Sequence, residues 1–116
     1  MYDYTILDVP HVVDGDTLDV VFDVGFYLTT RVRLRLARIN APEVNGPDKP
    51  TALAAKQFVA DWTSKNAGAM YGHTQKTDVF GRYLCEIVTT AGDNLSDDLL
   101  AAGLAVPYVK KAEEPQ

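Results

Sequence analysis

The sequence predicts an α+β domain that is mainly β, a small closed barrel of five strands with two or three short helices. Three observations carry this. Two β-branched and aromatic runs, Tyr4 to Val13 and Thr17 to Val24, are separated by the turn pair Asp14-Gly15. A strict alternation follows, in which Val32, Leu34 and Leu36 interleave with Arg31, Arg33 and Arg35. Helical apolar spacing appears only after Pro50 and again near Leu95.

The period of two puts Leu34 and Leu36 inward and Arg35 on the opposite face. Alternation fails at Ala37-Arg38-Ile39, which predicts a bulge or strand end just before Asn40-Ala41-Pro42-Glu43. If the chain reverses near Tyr27-Leu28, Asp16 at the start of one strand lies level with Asn40 at the end of its partner. Gly46 to Pro50 reads as a loop entering a helix with Pro50 in its first turn, and Ala52, Ala55, Val59 and Trp62 form its inner face beside Phe58. Asn66-Ala67-Gly68 closes that helix. Strands are expected over Met70 to Thr77 and Tyr83 to Thr89, joined by a turn at Asp78-Val79-Phe80-Gly81. A short helix follows, capped by Asn94, with Asp97 and Asp98 at its positive end and Gly103 as the left-handed stop. Five strands with one helix after the third and another after the fifth make an OB-type barrel. We expect a single domain over 1–111 and a frayed polar tail over 112–116.

At 116 residues the chain fits one hydrophobic core. No apolar stretch approaches a membrane span, and the N-terminus lacks a basic region followed by an apolar run, so the expectation is a cytoplasmic monomer with no membrane partner. One cysteine and two histidines do not make a zinc ligand set, and Cys85 reads as a packed, inert thiol. His11 and His73 read as surface residues. The formal net charge of −5 runs against a polyanionic ligand, but Arg31, Arg33, Arg35 and Arg38 form a local stripe with no acid between them.

The chemistry sits in four segments. Asp14-Gly15-Asp16-Thr17 supplies carboxylates, the run from Arg35 to Glu43 supplies guanidinium groups and a further carboxylate, and Phe80-Gly81-Arg82 supplies another arginine. Phosphoryl transfer needs oxygen ligands for a hard cation, a carboxylate to activate water, and guanidinium groups to hold the developing charge. Oxygen donors suit calcium, magnesium or manganese without choosing among them. The fourth segment is Gly103-Leu104-Ala105-Val106-Pro107-Tyr108.

In this order the four segments resemble the staphylococcal thermonuclease family, in the subgroup common in phages and bacteria, from about Val12 to Tyr108. The resemblance implies an OB barrel that cleaves DNA and RNA with little sequence preference, for a phage-encoded member inside the host cell. It implies that Asp16, Asn40 and the carbonyl of Ala41 bind calcium, that Glu43 positions or deprotonates water, and that Arg35 and Arg82 hold the phosphate. It puts Tyr108 at an aromatic contact with the nucleotide; Arg33 and Asp78 are further candidates for touching substrate. The family position at Asn40 is usually aspartate and that at Ala41 often threonine, so the ligand set here has one formal charge fewer. The reading is therefore a calcium-dependent nuclease acting by in-line water attack, with single strands preferred. The alternative is a catalytically weakened OB-type module that binds nucleic acid or protein.

Overall fold

The structure is a computed structural model that describes residues 2–77 and 83–108. Its strands are β1 (Tyr2–Asp14), β2 (Thr17–Gly25), β3 (Leu28–Leu36), β4 (Ile39–Asn40), β5 (Met70–Thr77), β6 (Tyr83–Thr89) and β7 (Val106–Pro107); its helices are α1 (Lys49–Lys65) and α2 (Leu95–Ala101). Five strands close a barrel in the order β1-β2-β3-β6-β5, with β5 returning to β1. Every pairing in it is antiparallel except β3 with β6, which is parallel. This is the predicted OB-type architecture, and closure leaves the barrel no free sheet edge.

The alternation read in β3 holds. Leu34 and Leu36 are fully buried and Arg31 and Arg33 exposed, while Val32 and Arg35 are half-buried. Ile6, Leu18, Val20, Phe22, Ile87 and Cys85 fill the barrel from its other strands. Gly72 keeps that interior closed, because a Cβ there would stand 2.8 Å from the Phe22 ring and 2.9 Å from Cys85 Sγ. Burial pushes the Cys85 thiol up to about 12, so it stays protonated and inert.

Asp48 caps α1 with Pro50 in the first turn, and Ala52, Ala55, Val59 and Trp62 are its buried face; Phe58 is half-buried against the same core. The Trp62 indole donates to Asp98 Oδ2 at 2.8 Å, which ties α1 to α2. In α2 the Asn94 side chain accepts from the Asp97 amide. At its end Gly103 has φ +72, and the Leu104 amide donates to the Leu99 carbonyl at 3.1 Å, the left-handed stop that the sequence predicts. His11 is exposed, whereas His73 is half-buried and contacts Asp3 through its ring nitrogen.

The expected break after Leu36 is a tight reversal rather than a bulge. Arg38 adopts φ +72, and the chain returns as the two-residue β4. β4 pairs with β7, Ile39 opposite Pro107 and Asn40 opposite Val106, in a separate small sheet. Ser96, fully buried, donates from Oγ to the Ala37 carbonyl at 3.0 Å and fixes the reversal on α2.

Candidate functional site

The site forms where three local events meet at one end of the barrel. The turn Gly15-Asp16 starts β2, and the Asp16 carbonyl accepts from the Leu36 amide at 2.8 Å, so the end of β3 sits against that turn. Gly15 is required there by space. A Cβ on it would lie 2.6 Å from Ala55 Cβ of α1 and 3.0 Å from Ala41 Cβ, so the turn packs flat against the helix and the segment after β4. The reversal at Arg38 then brings Asn40 and Ala41 back past the Asp16 side chain.

Asp16 is 7% exposed. Its Oδ2 accepts the Ala41 amide at 2.9 Å and lies 3.3 Å from Arg35 Nη1, while its Oδ1 accepts the Thr17 hydroxyl at 3.1 Å. Arg35 also donates to the Ile39 carbonyl at 3.0 Å, to the Leu36 carbonyl at 3.3 Å, and through Nη2 to the side-chain oxygen of Asn40. The side-chain oxygens of Asp16 and Asn40 therefore converge on one positive group. The pairing of β7 with β4 carries Tyr108 to the same place: its amide donates to the Arg38 carbonyl at 2.9 Å, and its ring centroid lies 5.9 Å from Arg35 Cζ, within cation–π range.

Asp16, Arg35, Asn40, Ala41 and Tyr108 are thus brought together. The group of Ala41 that touches Asp16 is its amide. Glu43 is exposed on the adjoining turn, where its carbonyl accepts from the Gly46 amide, and among the described residues its carboxylate makes no hydrogen bond or ion pair. Asp78 and Arg82 lie outside the described residues. Arg33 stands apart from the cluster: its Nε donates to Asp19 Oδ1 at 2.8 Å, and Arg31 donates to Asp19 Oδ2 at 3.0 Å. The hydrogen bond from Arg33 is the main reason the Asp19 carboxyl is held at about 2 rather than 3.8. Arg38 is likewise committed, to Glu86 at 2.6 Å and Asp97 at 2.9 Å.

Two contacts escape a reading of the sequence. Asp14, half-buried, accepts the Val44 amide on Oδ1 at 2.9 Å and so orients the segment that carries Glu43. The Ile39 carbonyl anchors Arg35. Asp14 was visible in its motif, but its partner 30 positions away was not.

Among the described residues no three His, Cys, Asp or Glu side chains gather in a metal-ligating group. The donors that do converge are oxygens, one carboxylate and one amide, and they already face a cation in Arg35. That chemistry fits a hard divalent ion and gives it little charge to bind.

The family model described as staphylococcal nuclease homologue matches residues 33–116, which takes in Arg35, Asn40, Ala41, Glu43, Arg82 and Tyr108. A search of curated proteins returns no match. Among the described residues no helix is long and apolar enough to cross a membrane. A match over more than half of the chain, on a closed five-stranded mixed barrel with two helices, identifies this chain as a member of the staphylococcal nuclease family.

Proposed function

We propose that this protein is a divalent-metal-dependent phosphodiesterase that cleaves nucleic acid, with calcium as the metal and single strands as the preferred substrate. The observation that carries the reading is the convergence of Asp16 and Asn40 oxygens on Arg35 beside Tyr108. A carboxylate and an amide oxygen on one guanidinium, with an aromatic ring beside it, suit a phosphate and its attached nucleoside.

In this reading Asp16, Asn40 and the Ala41 carbonyl hold the metal. When bound, the ion neutralises charge on a non-bridging phosphate oxygen. Arg35 stays anchored by the Ile39 and Leu36 carbonyls and exchanges its contacts with Asp16 and Asn40 for phosphate oxygens. A planar guanidinium suits that exchange, because it presents several donors in fixed directions and keeps its charge. Arg82 serves as the second guanidinium; it directly precedes Tyr83, which pairs with Leu34 next to Arg35. Glu43, exposed and uncommitted among the described residues, accepts the proton of the attacking water. Tyr108 takes the neighbouring base on its ring. Arg33 and Asp78 are assigned to more distant contacts with substrate.

The neutral Asn40 favours a second reading, a module that binds nucleic acid or protein without cutting it. One assay separates the two. A fluorescent single-stranded oligonucleotide incubated with the protein and calcium is shortened if the first reading holds, and a chelator stops the reaction. Retention of the full-length oligonucleotide with calcium present, by protein whose folding is verified, refutes the enzyme.

A further inference from the structure

We propose that Arg38 is a positioning residue for the candidate site: tied to Glu86 and Asp97, it pins the reversal between β3 and β4 and so holds Arg35, Asn40 and Tyr108 in one arrangement, an inference that rests on the nuclease reading above. The site is built around that reversal. Arg35 donates to the Leu36 and Ile39 carbonyls, one on each side of it, and to the Asn40 side chain just beyond it. The Arg38 carbonyl accepts the Tyr108 amide at 2.9 Å. A shift of the backbone at Arg38 therefore moves a guanidinium, a metal donor and an aromatic ring together.

The returning chain has little sheet to hold it. β4 and β7 are two residues each and make a small sheet of their own, in which Pro107, opposite Ile39, has no N–H to give to the ladder. The Ser96 hydroxyl on the Ala37 carbonyl and the buried Ile39 anchor the two flanks of the reversal. Between them Arg38 adopts φ +72, a left-handed backbone that glycine takes freely and a long side chain takes at a cost. Its side chain offsets that cost. Nε donates to Glu86 Oε1 at 2.8 Å, and Nη2 lies 2.6 Å from the same oxygen and donates to Asp97 Oδ1 at 2.9 Å. Asn94, the cap of α2, also donates to Glu86 Oε1, at 3.1 Å, so the reversal is tied at once to β6 and to the first turn of α2.

Two other roles fit less well. A phosphate contact would need a free guanidinium, whereas Nε and Nη2 of Arg38 both end on carboxylates. A fold that needed only the turn would be served by glycine, which meets φ +72 without partners.

The test compares Arg38→Gly, which keeps the left-handed turn and removes the tether, with Arg38→Lys, which keeps the charge and loses the planar fork. In metal-free protein the Tyr108 amide should lose about five- to tenfold of its hydrogen-exchange protection in Arg38→Gly, the worth of one or two half-exposed ion pairs, while the amides of β2 inside the barrel keep theirs. With a labelled single strand, the calcium and the oligonucleotide needed for half-maximal cleavage should each rise by a similar factor. Turnover at saturation should stay within about threefold, because bound ligands draw the loosened segment back into its binding arrangement. Arg38→Lys should fall between Arg38→Gly and the unaltered protein. Full protection at Tyr108 in Arg38→Gly, unchanged requirements for calcium and oligonucleotide, or a loss of turnover with no rise in either would each overturn the positioning role. If the unaltered protein cuts nothing, the nuclease reading fails and takes this inference with it; if it cuts and Arg38→Gly matches it, only the tether fails.

Discussion

Replacing Arg35 by alanine removes two functions that the structure joins in one side chain. Arg35 is 13% exposed and donates to the carbonyls of Ile39 and Leu36, to Asn40, and to Asp16 at 3.3 Å. Its loss leaves the carboxylate of Asp16 largely buried without its countercharge and frees β4 from β3. Hydrogen bonds from a charged donor contribute about 1.5–3 kcal/mol each, but they share one side chain and are not additive, so we expect a total cost of about 2–4 kcal/mol. A small domain with about 5–15 kcal/mol of stability survives that loss folded. The catalytic cost is larger. An arginine that stabilises a phosphoryl transition state is worth roughly 10³ to 10⁵ in rate. Urea denaturation and cleavage of a labelled single strand measure the two effects separately, and Arg35→Lys divides them further, recovering stability but little rate because the planar fork is gone. An Arg35→Ala protein that keeps its stability, or cuts within tenfold of the unaltered rate, would refute the reasoning.

Glu43→Gln should lower turnover by about 10² to 10⁴ with denaturation unchanged, since the side chain is exposed; full activity at saturating calcium would assign water activation elsewhere. Gly15→Ala should cost about 1–3 kcal/mol in urea denaturation and reduce cleavage, because its Cβ would overlap Ala55 and Ala41 and push Asp16 off position. The Asp19 carboxyl, held at about 2 by Arg33 and Arg31, contributes stability above pH about 4 that is lost as the pH falls towards about 2. Both arginines are half-exposed, so the contribution is about 1 kcal/mol, and the stability gap between the unaltered protein and Asp19→Asn should close over that acid window.

The barrel was legible because its strands are long enough for a period of two to show, as in Val32-Arg33-Leu34-Arg35-Leu36, and because caps have their own residue chemistry at Asn94 and Gly103; the turn expected at Asp14-Gly15 falls one residue later, at Gly15-Asp16, since Asp14 still pairs with Thr17. The meeting of Asp16 with Asn40 was expected from a hairpin that reverses near Tyr27-Leu28, but the chain turns at Phe26-Tyr27 and the register sets Asp16 level with Leu36; the reversal at Arg38 is what returns Asn40 to it. β4 and β7 were not legible, since two residues carry no periodicity, and their pairing is what carries Tyr108 to Arg35. The arginine stripe was visible as charge but not as partnership. Asp19 lies opposite Arg33 only once the register of β2 on β3 is fixed, and Arg38 finds Glu86 and Asp97 only through the reversal at φ +72.

The most direct test of the account is the calcium concentration that gives half-maximal cleavage of a single-stranded oligonucleotide in the unaltered protein, in Asp16→Asn and in Asn40→Asp. One unit of charge about 4 Å from a divalent ion is worth several kcal/mol even when well screened, part of which is spent on desolvation. The account predicts that Asp16→Asn raises the required calcium at least about tenfold and that Asn40→Asp lowers it by a similar factor, with calorimetric calcium binding moving in the same directions. Cleavage that persists in chelator, or a half-maximal concentration that neither substitution moves, would contradict it.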